Sequence, residues 1–197
     1  MVAAASEDGG VVVNGMSHYA RDGKNANSAV AVSVSPSDFS GDVRAAMEFQ
    51  RTLERKAFAL GGGNYAAPCQ TMGDFLADKC VSEPGRVLPT YMNGNVKMTD
   101  ISRVFPKFVV DNLKVGFADF NRKLSGFASS DALLTAVETR TSAPLTIRRT
   151  EDLTAVGNGK IYPAGEGAGY AGGITSAAVD GIKTALKIME RFSPKTV

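Results

Sequence analysis

"KIYPAGEGAGYAGGITSAAVDGIKTALKIMERF", Lys160–Phe192, passes from a short apolar run through a burst of glycines into a helical pattern. The switch of period predicts a strand over Lys160–Ala164, a turn over Gly165–Gly173 and a helix from Ile174 to about Arg191. Ile174, Ala178, Ile182, Ala185 and Met189 fall on one face of that helix. Many phosphate-binding sites have this order. Glycine lets a ligand approach the backbone with no Cβ between them. The helix that follows points unbonded N–H groups and the positive end of its dipole at whatever sits there.

Gly167, Gly169 and Gly172 match G-x-G-x-x-G, and Glu190 follows at about the twenty-residue spacing of a dinucleotide fingerprint. That fingerprint wants its acid at the end of a second parallel strand. Glu190 instead lies inside the helix, and the sequence stops at Val197. The segment therefore reads as the end of such a domain and not its start. Glu166, just after the strand, offers a carboxylate to ligand hydroxyls. A second match, Gly61, Gly63 and Ala66, follows a predicted helix and reads as a glycine-supplied helix C-terminus.

Working outward, Val2–Ser6 and Val11–Asn14 are short runs separated by Asp8-Gly9-Gly10, a hairpin signal. "SAVAVSVS", Ser28–Ser35, reads as a buried strand. Asp42 is the expected N-cap of a helix to about Leu60. Ala46, Phe49, Leu53, Lys56 and Ala57 lie on its inner stripe, with Arg51, Glu54 and Arg55 outward. Thr71 is placed to cap a short helix over Asp74–Lys79. Phe105, Val109, Leu113, Phe117 and Phe120 recur at helical spacing around a break at Pro106, and read as core. "SDALLTAVET" continues as helix or strand, and 144–149 as a strand. The best domain boundary falls within Glu151–Gly159, giving 1–155 and 156–197.

Composition narrows the classes. The chain has 197 residues, 44% apolar and 21% charged, enough to bury a core. Its net charge of +2 is not gathered into a stripe, so nucleic acid is not the expected partner. No run suits a membrane span, and the N-terminus has no signal pattern. Cys69 and Cys80 lack metal-ligand spacing and only one histidine, His18, is present, so no metal site is expected. The two thiols read as reduced, in a cytoplasmic compartment.

"GKIYPAGEGAGYAGGITSAAVDGI" resembles the C-terminal FAD-contacting motif of two-domain flavoproteins, and most closely a family of FAD-dependent dehydrogenases of undetermined substrate. "VVVNGMSHYARDGKNANSAVAVSV", "FQRTLERKAFALGGGNYAAPCQ" and "VETRTSAPLTIRR" resemble further blocks of that family in the same order, so the likeness covers nearly the whole chain. It implies an α+β fold: an inserted substrate domain with strands near 2–35, helices within 42–135 and a strand near 144–149, followed by the last strand and helix of a Rossmann-like FAD domain. The fingerprint that holds the ADP part of FAD is absent. The resemblance is thus to the C-terminal portion of an oxidoreductase, not active alone, with NAD(P) possible as electron donor or acceptor.

By motif, the resemblance places Gly165 and Glu166 at the ribityl and pyrophosphate region, with Gly167 and Ala168 also in the cofactor set. Gly172, Gly173 and Ile174 would present N–H groups to the flavin pyrimidine edge. Tight helix–sheet packing is the other reading of Gly172-Gly173. His18, Arg21, Arg140 and Tyr170 are the candidates to face substrate. A solvated loop accounts equally for His18 and Arg21, and pairing with Glu138 or Asp131 for Arg140. Two other classes remain open: a non-redox module using the Gly167–Gly172 turn for a phosphate-bearing ligand, and a non-enzymatic chain that only contacts partners. Self-association through an exposed C-terminal helix face is a further expectation.

Overall fold

A computed structural model describes Met1–Lys79 and Ser82–Ser193, so Cys80 lies outside the described residues. The chain is α+β and divides into two units. Met1–Asp38 with Glu48–Thr139 forms the first, and Phe39–Met47 with Arg140–Val197 forms the second.

In the first unit the predicted hairpin forms, with β1 (Val2–Ala3) antiparallel to β2 (Val13–Asn14) and Val2 opposite Asn14. Helix α1 (Val43–Leu60), whose residues to Met47 belong to the second unit and the rest to the first, begins where Asp42 predicts it, the Ala46 N–H bonding back to the Asp42 carbonyl at 3.0 Å. It stops at the glycine run. Gly63 N–H returns to the Phe58 carbonyl and Gly62 N–H to the Ala59 carbonyl, the paired bonds of a Schellman ending. Gly62 at φ 100° and Gly63 at φ 73° supply the left-handed backbone this ending needs. The first G-x-G-x-x-A match is therefore a helix stop.

β3 (Ala67–Thr71) is the centre of a three-stranded sheet, parallel to β4 (Val96–Met98) and antiparallel to β5 (Leu133–Thr135). All five residues of β3 are buried. Pro68 costs this central strand little. Its carbonyl accepts the Ala136 N–H at 3.0 Å just beyond the last β3–β5 pair, Cys69 with Thr135, so Pro68 lies outside the β5 ladder. Helix α2 (Met72–Ala77) follows at once, capped by Thr71, whose hydroxyl accepts the Asp74 N–H at 3.3 Å. A 3₁₀ turn over Ile101–Val104 leads through Pro106 into α3 (Lys107–Lys123). Val109, Leu113 and Phe117 of the predicted stripe are buried as core, with Phe117 edge-on to Phe75, while Phe120 stays exposed.

Two expectations for this unit need correction. Ser28–Ser35 is not a strand; it pairs with none, and only Val30 and Val32 pack against the core. Its alternating small residues bury too little area to hold a ladder in place. Glu54 does not point outward but is 1% exposed, its Oε1 accepting the Thr139 hydroxyl at 2.7 Å.

In the second unit α4 (Ile174–Phe192) forms as predicted, but neither expected strand does. Residues 144–149 and Lys160–Ala164 have no ladder, only isolated bridges joining Arg149 to Ala155 and Ala155 to Asn158. Their polar groups are satisfied otherwise. Arg191 donates to the Gly159 carbonyl at 2.6 Å and to the Tyr162 hydroxyl at 3.0 Å, and Arg149 to the Pro163 carbonyl at 3.0 Å. Extended chain held by side chains needs no neighbouring strand. These ties also put 144–155 with α4, in the unit that takes up the chain at Arg140. Among the described residues no helix is long and apolar enough to cross a membrane.

Candidate functional site

The glycine turn is built by a few local bonds. The Gly169 N–H returns to the Glu166 carbonyl at 2.8 Å and the Tyr170 N–H to the Gly165 carbonyl at 3.1 Å. Gly169, at φ 81°, lies so close to the neighbouring segment that a Cβ would run into the Leu145 carbonyl and the Thr146 backbone. This glycine is required by packing alone. Ala168 is buried beside it, its carbonyl accepting the Ile147 N–H at 3.1 Å.

Beneath the turn sits an ion pair. Arg149 and Asp180 meet as a two-pronged fork at 2.6 and 3.0 Å, their side chains only 13% and 12% exposed. The same Asp180 carboxylate accepts the Gly165 N–H at 2.9 Å. Hydrogen bonds from Arg149, then from the Gly165 amide, lower the Asp180 pKa from the usual 3.8 to about 2. Arg149 is raised in turn by its bonds to Asp180. Its guanidinium lies 3.7 Å from the centre of the Tyr170 ring, a cation–π stack. The Tyr170 hydroxyl donates to the Ile147 carbonyl at 3.0 Å and accepts the Arg149 N–H at 3.2 Å. Tyr170, one of the residues expected to face substrate, anchors the turn through these contacts.

Helix α4 then starts at Gly173, whose carbonyl takes the Ala177 N–H at 2.8 Å as the first helical bond. Ser176 Oγ accepts the Gly173 N–H at 3.1 Å, half of a capping box. The amides of Ile174, Thr175 and Ser176 precede any intrahelical acceptor. Gly172, Gly173, Ile174 and Ser176 are all exposed, so the positive helix end is open to solvent. Gly167 is exposed as well, with nothing near where a Cβ would stand. Glu166 is exposed at the rim. Gly165 is different, because its N–H is already given to Asp180.

The structure thus brings Gly165, Glu166, Gly167, Ala168, Gly172, Gly173 and Ile174 into one turn-and-helix-start. It leaves His18 and Arg21 in an exposed loop of the first unit, where the Arg21 N–H closes a turn on the His18 carbonyl at 3.0 Å. Arg140 is exposed. Asp131, one of its expected partners, takes Arg86 at 2.7 Å instead. Arg149 and Asp180 were missed. A single acid among small residues in the early turns of α4, opposite the apolar stripe, was the available signal for Asp180.

α4 packs by its small and polar side, where Thr184 is buried and its hydroxyl bonds the Asp180 carbonyl at 2.9 Å. The apolar side faces water, with Ile182 61%, Leu186 52% and Met189 62% exposed. Among the described residues no cluster suited to a metal is present.

Over residues 1–141 the chain matches the family described as FAD-dependent protein, C-terminal domain-like. It is 51% identical over 193 residues to an uncharacterized protein of Clostridium beijerinckii (strain ATCC 51743 / NCIMB 8052), covering 98% of this chain and 36% of that protein. The chain therefore spans little more than a third of that relative's length, and the glycine turn lies beyond the span matched by the family.

Proposed function

Because the chain belongs to the FAD-dependent protein C-terminal domain-like family, we propose that it supplies the flavin-side turn and the substrate domain of an FAD-dependent oxidoreductase. The observation that carries this reading is the solvent-open, glycine-led start of α4. Its exposed glycines and the first-turn amides, which precede any intrahelical acceptor, form a surface that a flat ring with hydrogen-bond acceptors on one edge would fit. FAD, when bound, supplies the redox chemistry, with NAD(P) as a further exchange partner in the same proposal.

The chain's own groups have three tasks. Gly172, Ile174 and their neighbours offer N–H groups and the positive helix end, which favour negative charge at the ring edge they face. Glu166 accepts hydrogen bonds from ligand hydroxyls at the other side of the turn. The Arg149–Asp180 pair fixes the turn and, being neutral as a pair, leaves the helix-end field intact. In this reading the exposed apolar side of α4 is covered by the remainder of a flavin domain.

The fit is partial. A helix end contributes about 0.3–1 kcal/mol, up to about 2 when partly buried, whereas micromolar binding needs about 8 kcal/mol. Titrating FAD into the isotope-labelled chain tests the site directly. Saturable shifts are expected at the amides of Gly172, Gly173 and Ile174, with a dissociation constant weaker than about 10 μM. Shifts elsewhere but not at these amides would remove the flavin from this turn.

A further inference from the structure

We propose that Asn158 is a site of spontaneous modification, its side-chain amide converted through a cyclic imide to isoaspartate. The site lies in the second unit, in the segment before the glycine turn, and does not depend on a bound flavin.

Three Asn-Gly pairs occur in the sequence, at 14–15, 93–94 and 158–159. Such a pair is reactive because no Cβ shields the glycine nitrogen from the asparagine amide carbon. The fold treats the three differently. Asn14 is held extended in β2 opposite Val2, and Asn27 Oδ1 fills the space beside Gly15. The Gly94 N–H is taken by the Tyr91 carbonyl at 2.8 Å, a bond that must break before its nitrogen can attack. At Asn158 neither restraint applies. Asn158 and Gly159 are both exposed, and among the described residues the Gly159 N–H has no acceptor. Nothing stands near the place that a Cβ on Gly159 would take. The Lys160 N–H donates to Asn158 Oδ1 at 3.0 Å. That bond fixes which end of the amide is which, and it sets a donor at the oxygen that turns negative during attack.

The reaction consumes only water. The Gly159 nitrogen gives its proton to hydroxide and bonds to Asn158 Cγ. The Cγ–Nδ2 bond then breaks, and ammonia leaves with a proton taken from water, which restores the hydroxide. One water opens the five-membered imide. Cleavage between the Gly159 nitrogen and Cγ gives aspartate. Cleavage between that nitrogen and the Asn158 backbone carbonyl carbon gives isoaspartate, with the main chain now routed through Cγ. Nothing is oxidised or reduced. Three bonds of the loop run through the atoms that move. The Asn158 carbonyl accepts the Ile161 N–H at 3.3 Å, Oδ1 accepts from Lys160, and the Gly159 carbonyl accepts from Arg191 at 2.6 Å. Isoaspartate lengthens the main chain here and loosens the tie to Arg191 near the end of α4.

The test incubates the whole chain at mildly alkaline pH, digests it, and reads isoaspartate in each peptide by enzymatic methyl transfer from S-adenosylmethionine. Asn158 is expected to convert at least about fivefold faster than Asn93 or Asn14, the factor that corresponds to one net hydrogen bond. In urea, where all three pairs are unrestrained, the rates should converge. Gly159→Ala, for which there is open space, should bring position 158 down to the slow pair and leave the other two unchanged. Should that variant not fold, the ranking on the unaltered chain still decides. Folded-chain rates that do not place Asn158 first, or a ranking that persists in urea, would overturn the proposal.

Discussion

Replacing Asp180 by Asn should loosen the glycine turn by an amount the structure sets. The carboxylate holds a fork from Arg149 and the Gly165 N–H, with the side chain 12% exposed. Its pKa is lowered from 3.8 to about 2. A fall of that size corresponds to about 2 kcal/mol of favourable interaction with the charged form, and the accessible edge of the pair trims this to about 1–2 kcal/mol. The sign follows from linkage. A depressed carboxylate pKa gives stability that is present above pH about 4 and lost as pH falls toward about 2. Asp180→Asn, Arg149→Met and the double variant would be unfolded in urea at pH 7, following amide signals of α4. The cycle should show a coupling of about 1–2 kcal/mol between the two sites. Repeated near pH 2.5, still above the folded pKa of about 2, the coupling should have fallen to roughly a third. A coupling under about 0.3 kcal/mol at pH 7, within the scatter of independent sites, would refute the assignment of this pair as the support of the turn. So would a coupling unchanged by acid.

The remaining expectations are quicker to check. Gly169→Ala should destabilise the second unit by more than about 2 kcal/mol, since its φ of 81° and the Leu145 carbonyl both exclude a Cβ. Gly167→Ala, with open space around it, should stay within about 0.5 kcal/mol in the same urea series. Ile182→Glu with Leu186→Lys should abolish any concentration-dependent association seen by sedimentation, because they interrupt the exposed apolar side of α4. Association that persists would place the contact elsewhere. Burial raises the Cys69 thiol pKa, so in native protein at pH 8 Cys69 should resist alkylation, and peptide mapping should show it labelled only after unfolding.

How much of this was legible beforehand depends on the range over which each feature is decided. Helix α4 follows from a local 3.6-residue period, a glycine start and no interrupting proline, so its ends could be read within a residue or so. The same holds for the end of α1, where Gly62 and Gly63 satisfy carbonyls only a few residues back. The resemblance of four ordered blocks led to the family in which the chain falls. Strand β3 was invisible for a physical reason. Buried on both faces, Ala-Pro-Cys-Gln-Thr has no alternation to display, and its Pro and Gln argue against a strand until Ala136 and Ile101 are seen to meet them. Lys160–Ala164 failed in the opposite sense. Its composition suits a strand, but a strand exists only through a neighbour, and here Arg149 and Arg191 bond the chain instead. For the turn itself, the sequence by itself determined where glycines allow a ligand near the backbone. Only the tertiary structure decided what holds them. Arg149 and Asp180 stand 31 residues apart, and no local period records a bond between them.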